Sequence, residues 1–246
     1  MSLMQFNLLH GFTQTSTSWA EPISALRQRF PAAEFWVPDM PGHGTGTGLP
    51  LPLHDGATAL AELSTQGVWI GYSMGGRYLL NIAVKHPEVV EGLVLVSTTA
   101  GLDLESERSE RSAADGALAD SIEQQGVSAF LERWMSLPMF KGLEASEDDL
   151  AARQRNSPIG LAESLRQAGT GQQEPLWDAL AEIKVPTLIV TGEHDTKFCK
   201  IGARLHDAIE GSQHEIIANA GHAVHLEQCS TFAEIVEAWT HTHFNV

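Results

Sequence analysis

One five-residue motif restricts the possible folds of this chain more than any other feature, Gly71-Tyr72-Ser73-Met74-Gly75. It follows an apolar run at 68–71 and precedes a helical pattern that starts at Met74, so it predicts a sharp strand-to-helix turn. Such a turn strains the backbone of Ser73 and requires small flanking residues. It presents the hydroxyl at a helix N-terminus, where the Met74 N–H can stabilise a developing oxyanion. We therefore predict a catalytic serine, with a merely structural turn as the alternative.

Apolar runs alternate with longer helical patterns along much of the chain, which is typical of an α/β fold with a mostly parallel sheet and flanking helices. Because the chain begins almost at its first strand, we expect a sheet of about six strands. The predicted strands are 6–9, 35–38, 68–71, 93–96, 188–191 and 215–218. A last amphipathic helix is predicted over about 231–240.

The stretch from about 101 to 183 has no strand pattern, and its apolar residues recur at helical spacing. An insertion of this kind in a sheet domain is expected to form a helical cap over the strand ends, where open α/β sheets bind their ligands. We therefore expect a single domain over 1–246, with the cap inserted between core segments 4–100 and 184–246.

The charge balance excludes several classes of partner. Lys and Arg total 15 against 31 acidic residues, a formal net charge of −16, which disfavours nucleic acid and anionic membranes as partners.

The two cysteines, Cys199 and Cys229, form neither a disulfide framework nor a zinc-binding pattern. With no signal sequence and no apolar run long enough to cross a bilayer, we expect a cytoplasmic protein. No metal-ligand spacing or nucleotide-binding motif is present, so no cofactor is expected.

A serine hydroxyl needs a base and an acid that orients it. His222 follows the last predicted strand and the turn Ala220-Gly221, which is where this topology returns a base to the sheet edge. His225 is the alternative. The acid is expected after the preceding strand, where Asp195 lies further into the loop than its alternative, Glu193. The resulting order of serine, aspartate and histidine along the chain is the one expected for a nucleophile on such a turn.

A second oxyanion donor is predicted after the first strand. His10-Gly11-Phe12 lies at the carboxyl end of that strand, so the Phe12 N–H is the expected donor beside that of Met74. The alternative is an ordinary tight turn.

Together these motifs resemble the α/β-hydrolase superfamily, which implies the α/β-hydrolase fold. The resemblance covers the predicted sheet from end to end. The motifs that carry it are 9–12, 39–44, 71–77, 192–195 and 220–222.

A narrower resemblance is to the 2-succinyl-6-hydroxy-2,4-cyclohexadiene-1-carboxylate (SHCHC) synthases of menaquinone biosynthesis. It implies a lyase that eliminates pyruvate from 2-succinyl-5-enolpyruvyl-6-hydroxy-3-cyclohexene-1-carboxylate, with Ser73, Asp195 and His222 abstracting a proton. It also implies that Arg77, Arg111 and Arg153 bind substrate carboxylates and that Tyr72 and Trp134 line the pocket. The residues that carry it are Arg77 after the serine motif and the segments 101–102, 107–111, 134–140, 153–158, 160–166, 169–171 and 195–198.

The residues themselves agree with a small-molecule carboxylate as substrate, because guanidinium groups bind carboxylates bidentately. Arg77 lies one helical turn beyond Ser73, although it could be a solvated helix charge. Arg108 is the alternative to Arg111 as a carboxylate-binding residue, and Arg155 is the alternative to Arg153. The alternative functions are a carboxylesterase or C–C bond hydrolase with an acyl-serine intermediate, whose pockets are usually apolar, and a non-catalytic binding module of the same fold.

Overall fold

Six parallel strands form the centre of the molecule in a computed structural model that describes residues 3–45 and 50–245. Their order across the sheet is β2-β1-β3-β4-β5-β6. The strands are β1 Gln5–Leu9, β2 Glu34–Trp36, β3 Gly67–Tyr72, β4 Val90–Val96, β5 Thr187–Gly192 and β6 Gln213–Ile217. The expected six strands are confirmed, and the expected mostly parallel sheet is parallel throughout.

The described helices cover both faces of the sheet and fill the stretch between β4 and β5. They are α1 Ala20–Arg29, α2 Leu53–Leu63, α3 Met74–Lys85, α4 Glu105–Met135, α5 Glu147–Gln154, α6 Pro158–Ala168, α7 Thr196–Ala208, α8 Val224–Glu227 and α9 Cys229–His243. No described helix combines the length and apolar character needed to cross a bilayer.

Both faces of the sheet are buried, which explains why its central strands are continuous apolar runs rather than alternating ones. Along β3, Val68, Ile70 and Tyr72 pack against α1 and α9, whereas Trp69 packs on the opposite face against α3. The cores on the two faces pack closely against β3 and β4, which fixes the positions of the carboxyl ends of these strands.

Several predicted boundaries were wrong by a few residues. The second strand ends at Trp36 rather than at 38, because Pro38 has no N–H to donate to a ladder. The last strand runs over Gln213–Ile217 instead of 215–218, and its exposed edge position weakens its apolar pattern. The final helix extends over Cys229–His243, beyond the predicted 231–240 at both ends.

Between β4 and β5 the chain forms α4, α5, α6 and short 3-10 turns. The helix α4 bends at Gly126, whose φ of 79° is not helical. Its two halves pack on α6 through an apolar cluster that includes Ile122, Phe130 and Leu161. This helical segment lies over the carboxyl ends of the strands, because its residues and those of the strand ends line the same cavity.

The helical segment meets the sheet domain at a contact between two glycines. A Cβ built on Gly160, in α6, would lie 2.5 Å from the Gly42 carbonyl oxygen, and one built on Gly42 would lie 2.6 Å from the Gly160 carbonyl oxygen. Gly42 also has a φ of +81°, a conformation that favours glycine. The two backbones approach this closely only because neither residue has a side chain.

Candidate active site

Ser73 lies between β3 and α3 in a strained conformation, with φ 51° and ψ −107°. The positions two residues before and after it require glycine, since a Cβ on Gly71 would meet the Gly75 carbonyl oxygen and one on Gly75 would meet the Leu9 carbonyl oxygen. The strain is maintained by two hydrogen bonds, from Ser73 N to the Val96 carbonyl at 2.8 Å and from Thr98 Oγ1 to the Ser73 carbonyl at 2.8 Å. Strain held in this way is characteristic of functional sites.

His222 and Asp195 lie beside Ser73 in a continuous hydrogen-bonded chain. His222 Nε2 is 3.0 Å from Ser73 Oγ, and His222 Nδ1 is 2.6 Å from Asp195 Oδ2. Because a carboxylate only accepts hydrogen bonds, the proton is assigned to Nδ1, which leaves Nε2 to accept from the serine hydroxyl. This arrangement can withdraw a proton through Ser73 or activate its oxygen as a nucleophile.

The two alternatives considered for the histidine and the acid occupy other places. His225 is fully buried with its ring against Trp19 and Tyr72, and neither of its ring nitrogens has a hydrogen-bond partner among the described residues. Burial lowers the pKa of His225 to about 3. Glu193 is exposed and accepts a hydrogen bond from the Asn219 N–H. Neither residue is hydrogen-bonded to Ser73.

Phe12 and Met74, the predicted oxyanion donors, line the same cavity as Ser73. Met74 is the first residue of α3, so its N–H is one of those that a helix N-terminus leaves without an intrahelical partner. Phe12 lies in a turn after β1 that is closed by the Gln14 N–H donating to the Gly11 carbonyl at 3.2 Å.

The cavity above Ser73 has a volume of about 410 Å³ and is lined by residues of the sheet domain and of the helical segment. Every site residue predicted from the sequence lines this cavity except Asp195, which is hydrogen-bonded to the far side of the His222 ring. The predicted residues that line it are Phe12, Tyr72, Ser73, Met74, Arg77, Arg111, Trp134, Arg153 and His222.

Arg77 is buried in the wall of this cavity and has no carboxylate partner within 4.0 Å among the described residues. Its Nη1 donates to the Ala168 carbonyl at 2.8 Å. Burial lowers the pKa of Arg77 to about 10, which still leaves it charged at neutral pH. A buried guanidinium without a counter-ion is the strongest indication of anion binding in this cavity.

Arg153 is also buried and is held on one side only. Its Nε donates to Asp149 Oδ2 at 2.7 Å, and its Nη1 donates to Thr13 Oγ1 at 2.9 Å. Its Nη2 is buried without a hydrogen-bond partner among the described residues. The competing residue Arg155 is exposed and does not line the cavity.

Arg111 reaches the cavity from α4 and is oriented by a buried carboxylate. Its Nε donates to Asp115 Oδ1 at 2.8 Å, so its two terminal nitrogens are available to a ligand. The competing residue Arg108 donates instead to the carbonyls of Leu102 and Asp103.

The two predicted aromatic residues, Tyr72 and Trp134, form part of the apolar wall. The Tyr72 ring lies 5.4 Å from the His222 ring, measured between centroids. Trp134 packs edge-on against Phe12 at 5.4 Å, and its Nε1 is buried without a partner among the described residues.

The residues that position these groups were not predicted from the sequence. Asp115 and Asp149 each lie four residues from an arginine of the cavity, a helical spacing that could have identified them. Asn156 and Glu227 bind the backbone of site loops, and the Thr13 hydroxyl accepts from Arg153. No sequence pattern marks such contacts. Among the described residues, no group of three or more His, Cys, Asp or Glu side chains could hold a metal ion.

Comparison with known proteins gives consistent results. Residues 8–235 match the model of the Alpha/beta hydrolase family. A putative 2-succinyl-6-hydroxy-2,4-cyclohexadiene-1-carboxylate synthase of Bacillus subtilis is 40% identical over 243 residues, which cover 93% of this chain and 87% of that protein. The synthase of that name from an Enterobacter species is 30% identical, over 92% and 87% of the two chains.

Solved structures agree in fold. The structure of MenH from S. aureus superimposes with a TM-score of 0.90 at 29% identity, over 99% of this chain and 96% of that one. A thermophilic esterase from Thermogutta terrifontis superimposes with a TM-score of 0.79 at 23% identity, over 98% and 91%, a likeness that concerns the fold alone.

Proposed function

The chain belongs to the alpha/beta hydrolase family, as an enzyme of its SHCHC synthase group, and we propose that Ser73, His222 and Asp195 perform the lyase reaction of that group. The substrate is 2-succinyl-5-enolpyruvyl-6-hydroxy-3-cyclohexene-1-carboxylate, and the products are SHCHC and pyruvate. The observation that carries the proposal is one cavity that contains both the hydrogen-bonded chain at Ser73 and three arginines.

The reaction begins at an acidic carbon. The ring carbon that bears the succinyl group lies next to a ketone, so its proton can be removed to give an enolate. The electron pair then forms a new double bond, the existing ring double bond shifts by one position, and the bond to the enolpyruvyl oxygen breaks. The departing enolate gains a proton and becomes pyruvate, so atoms and charge balance without water or a cofactor.

Ser73 and His222 supply the base. The serine oxygen removes the carbon-bound proton as its own hydroxyl proton passes to His222 Nε2, 3.0 Å away. Asp195 orients the His222 imidazole ring and stabilises the imidazolium that forms. The backbone N–H groups of Phe12 and Met74 are assigned to the ketone oxygen, where negative charge develops. No acyl-enzyme is required.

Arg77, Arg111 and Arg153 are assigned to the carboxylates of the substrate. That molecule carries three, on the succinyl chain, the ring and the enolpyruvyl group. Two of the arginines are buried, and each has nitrogens that no described carboxylate holds. Charge-assisted hydrogen bonds in such a site are strong and directional, so the arginines would fix the ring with its acidic carbon over Ser73. Tyr72 and Trp134 would pack against the ring.

We assign residues 101–183 to a cap on a single domain, since this segment supplies two of the three arginines. We also place the enzyme in the cytoplasm, acting on a small molecule and not on nucleic acid or membrane. The support is a net charge of −16 and two cysteines that are both free thiols.

The second candidate is a carboxylesterase or C–C bond hydrolase. It is favoured by the hydrogen bond between Ser73 and His222, which would serve equally for nucleophilic attack by the serine oxygen.

The test is pyruvate release from the enolpyruvyl precursor, which is generated in place by the enzyme that produces it. Wild-type protein, Ser73→Ala and a blank without enzyme are compared, because the precursor can eliminate unaided. Fast release that requires Ser73 supports the lyase. Release at the blank rate, together with Ser73-dependent cleavage of simple esters, would reject it in favour of the hydrolase.

A further inference from the structure

Thr13, the residue after Phe12, has a backbone conformation that threonine rarely adopts. Its φ is +68°, and the residue is fully buried. It occupies the third position of the turn from Gly11 to Gln14, where a positive φ normally requires glycine or asparagine. A β-branched residue in this conformation is strained and persists only if its surroundings hold it.

Two side chains from the helical segment hold Thr13. Asn156 Nδ2 donates to the Thr13 carbonyl at 2.7 Å, and Arg153 Nη1 donates to the Thr13 hydroxyl at 2.9 Å. Asn156 Oδ1 also accepts from the Gly44 N–H at 2.7 Å, in the loop that follows β2. Asn156 is 4% exposed, so water does not compete for these bonds.

We propose that Asn156 is a positioning residue that fixes the strained turn at Thr13 and thereby aims the Phe12 N–H at the oxyanion. The inference depends on the proposed function only for the choice of substrate in its test. An oxyanion donor serves both elimination and acyl transfer.

The direction of the Phe12 N–H depends on both ends of the turn. On one side, the peptide that carries this N–H also carries the Gly11 carbonyl, which accepts from the Gln14 N–H. On the other side, Asn156 holds the Thr13 carbonyl. If that bond is lost, Thr13 can relax toward a negative φ, and the turn moves relative to Ser73. Small displacements of a catalytic donor cost about 10²-fold in rate.

Arg153 connects the same turn to the substrate. One of its nitrogens binds the Thr13 hydroxyl, whereas its Nη2 has no described partner and belongs to a side chain that lines the cavity. A carboxylate in the cavity that binds this guanidinium would help to hold it, and with it Thr13, in the position seen here. Asn156 supplies the part of this restraint that does not touch the substrate, which makes it the residue to test.

The experiment compares Asn156→Asp with Asn7→Asp. Asn7 is buried like Asn156, donates its amide to a loop carbonyl (Thr65 O, 2.8 Å) and accepts at Oδ1 from Gln5 Nε2. Its contacts lie near the amino end of β1, away from the cavity. Both substitutions keep an acceptor and replace a donor by a carboxylate oxygen, so both are expected to lower Tm. Asn156→Ala is a second variant that introduces no charge.

For both Asn156 variants we expect kcat for pyruvate release to fall by about 10- to 100-fold, with KM close to wild type. Asn7→Asp should keep the wild-type kcat at temperatures below its Tm. The inference is overturned if folded Asn156 variants retain kcat, or if Asn7→Asp loses as much as they do. If wild-type protein releases no pyruvate but cleaves an ester with Ser73, the proposed lyase function fails, and the same kcat comparison is made with p-nitrophenyl acetate.

Discussion

Glu227 holds His222 from both sides along the backbone. Its two carboxylate oxygens accept the N–H groups of the residues before and after the histidine, those of Gly221 at 2.8 Å and Ala223 at 3.0 Å. The loop that carries His222 has no regular secondary structure, so these two bonds replace the restraint that a helix or strand would provide. Glu227 therefore restrains the backbone on both sides of His222 without a hydrogen bond to the His222 or Ser73 side chain.

Glu227→Gln tests this restraint. Glutamine can accept only one of the two N–H groups with its oxygen, and its NH₂ group faces the other. We expect kcat to fall roughly tenfold with little change in KM, because His222 is displaced whereas the residues that bind the substrate are not. The matched control is Glu193→Gln, since Glu193 also accepts a backbone N–H, at Asn219, but does not flank His222. Equal kcat values in the two variants would contradict the assignment.

The two neighbouring histidines are expected to differ sharply on substitution. His222→Ala should reduce pyruvate release by about 10³-fold or more, as loss of a triad member does. His225→Phe should retain turnover, because an aromatic ring fits among Trp19, Tyr72 and Phe232. Steady-state kinetics on both purified variants decide the matter. If His225→Phe is inactive while folded, the assignment of the base is wrong.

Arg77→Ala is expected to raise KM by about 10- to 100-fold, which corresponds to the loss of charged hydrogen bonds worth about 1.5–3 kcal/mol. The control is Arg166→Ala. That arginine forms ion pairs with Asp120, Glu123 and Glu163 outside the cavity. Ion pairs near the surface contribute little to stability. An Arg77 variant with unchanged saturation kinetics would exclude an anion-binding role for this side chain.

Two glycine-to-alanine changes should have opposite effects on stability. At Gly75 a methyl group would meet the Leu9 carbonyl oxygen at 2.2 Å, so Gly75→Ala should destabilise the fold by about 3 kcal/mol or more. At Gly116, within α4, a Cβ meets nothing within 4 Å, so Gly116→Ala should stabilise it by about 1 kcal/mol. Urea denaturation measures both changes, and a destabilised Gly116→Ala would contradict the helical environment described here.

Stability should decrease with acidification below about pH 6.5. Burial lowers the pKa of His10 to about 3, of His43 to about 4 and of His225 to about 3, from an ordinary value of 6.5. Below 6.5 the unfolded chain binds protons that the folded chain does not, so the stabilisation present at neutral pH is lost progressively toward pH 3. At pH 5 each histidine accounts for about 2 kcal/mol.

His225→Phe removes one of these three groups without removing a proposed catalytic residue. The difference in unfolding free energy between pH 7 and pH 5 should therefore be about 2 kcal/mol smaller in the variant than in the wild type. Urea denaturation at the two pH values gives the comparison, and an unchanged difference would mean that His225 is not a source of the acid sensitivity.

Much of the fold could be predicted because the buried central strands are continuous apolar runs that end in recognisable loops. The serine motif placed Ser73 at a strand-to-helix turn, and the order of β5 and β6 placed Asp195 and His222 in loops that follow neighbouring strands. These inferences depend on local sequence, where spacing and residue type are informative.

The rest depends on contacts between distant parts of the chain. Asn156 meets Thr13 across 143 residues, and the sequence of neither segment indicates the pairing. The resemblance implied Arg111, but the residue pattern alone left Arg108 open, because the choice depends on which face of α4 lies toward the cavity.

The contact between Gly42 and Gly160 restricts how proteins of this architecture can diverge. Each backbone occupies the volume that a methyl group on the other would need, so a side chain gained at one position cannot be offset by a change at the other, which is already the smallest residue. Positions of this kind do not drift in compensating pairs. A substitution at either would therefore require the backbone at Gly42 or at α6 to move, so the contact fixes where the helical segment lies on the sheet.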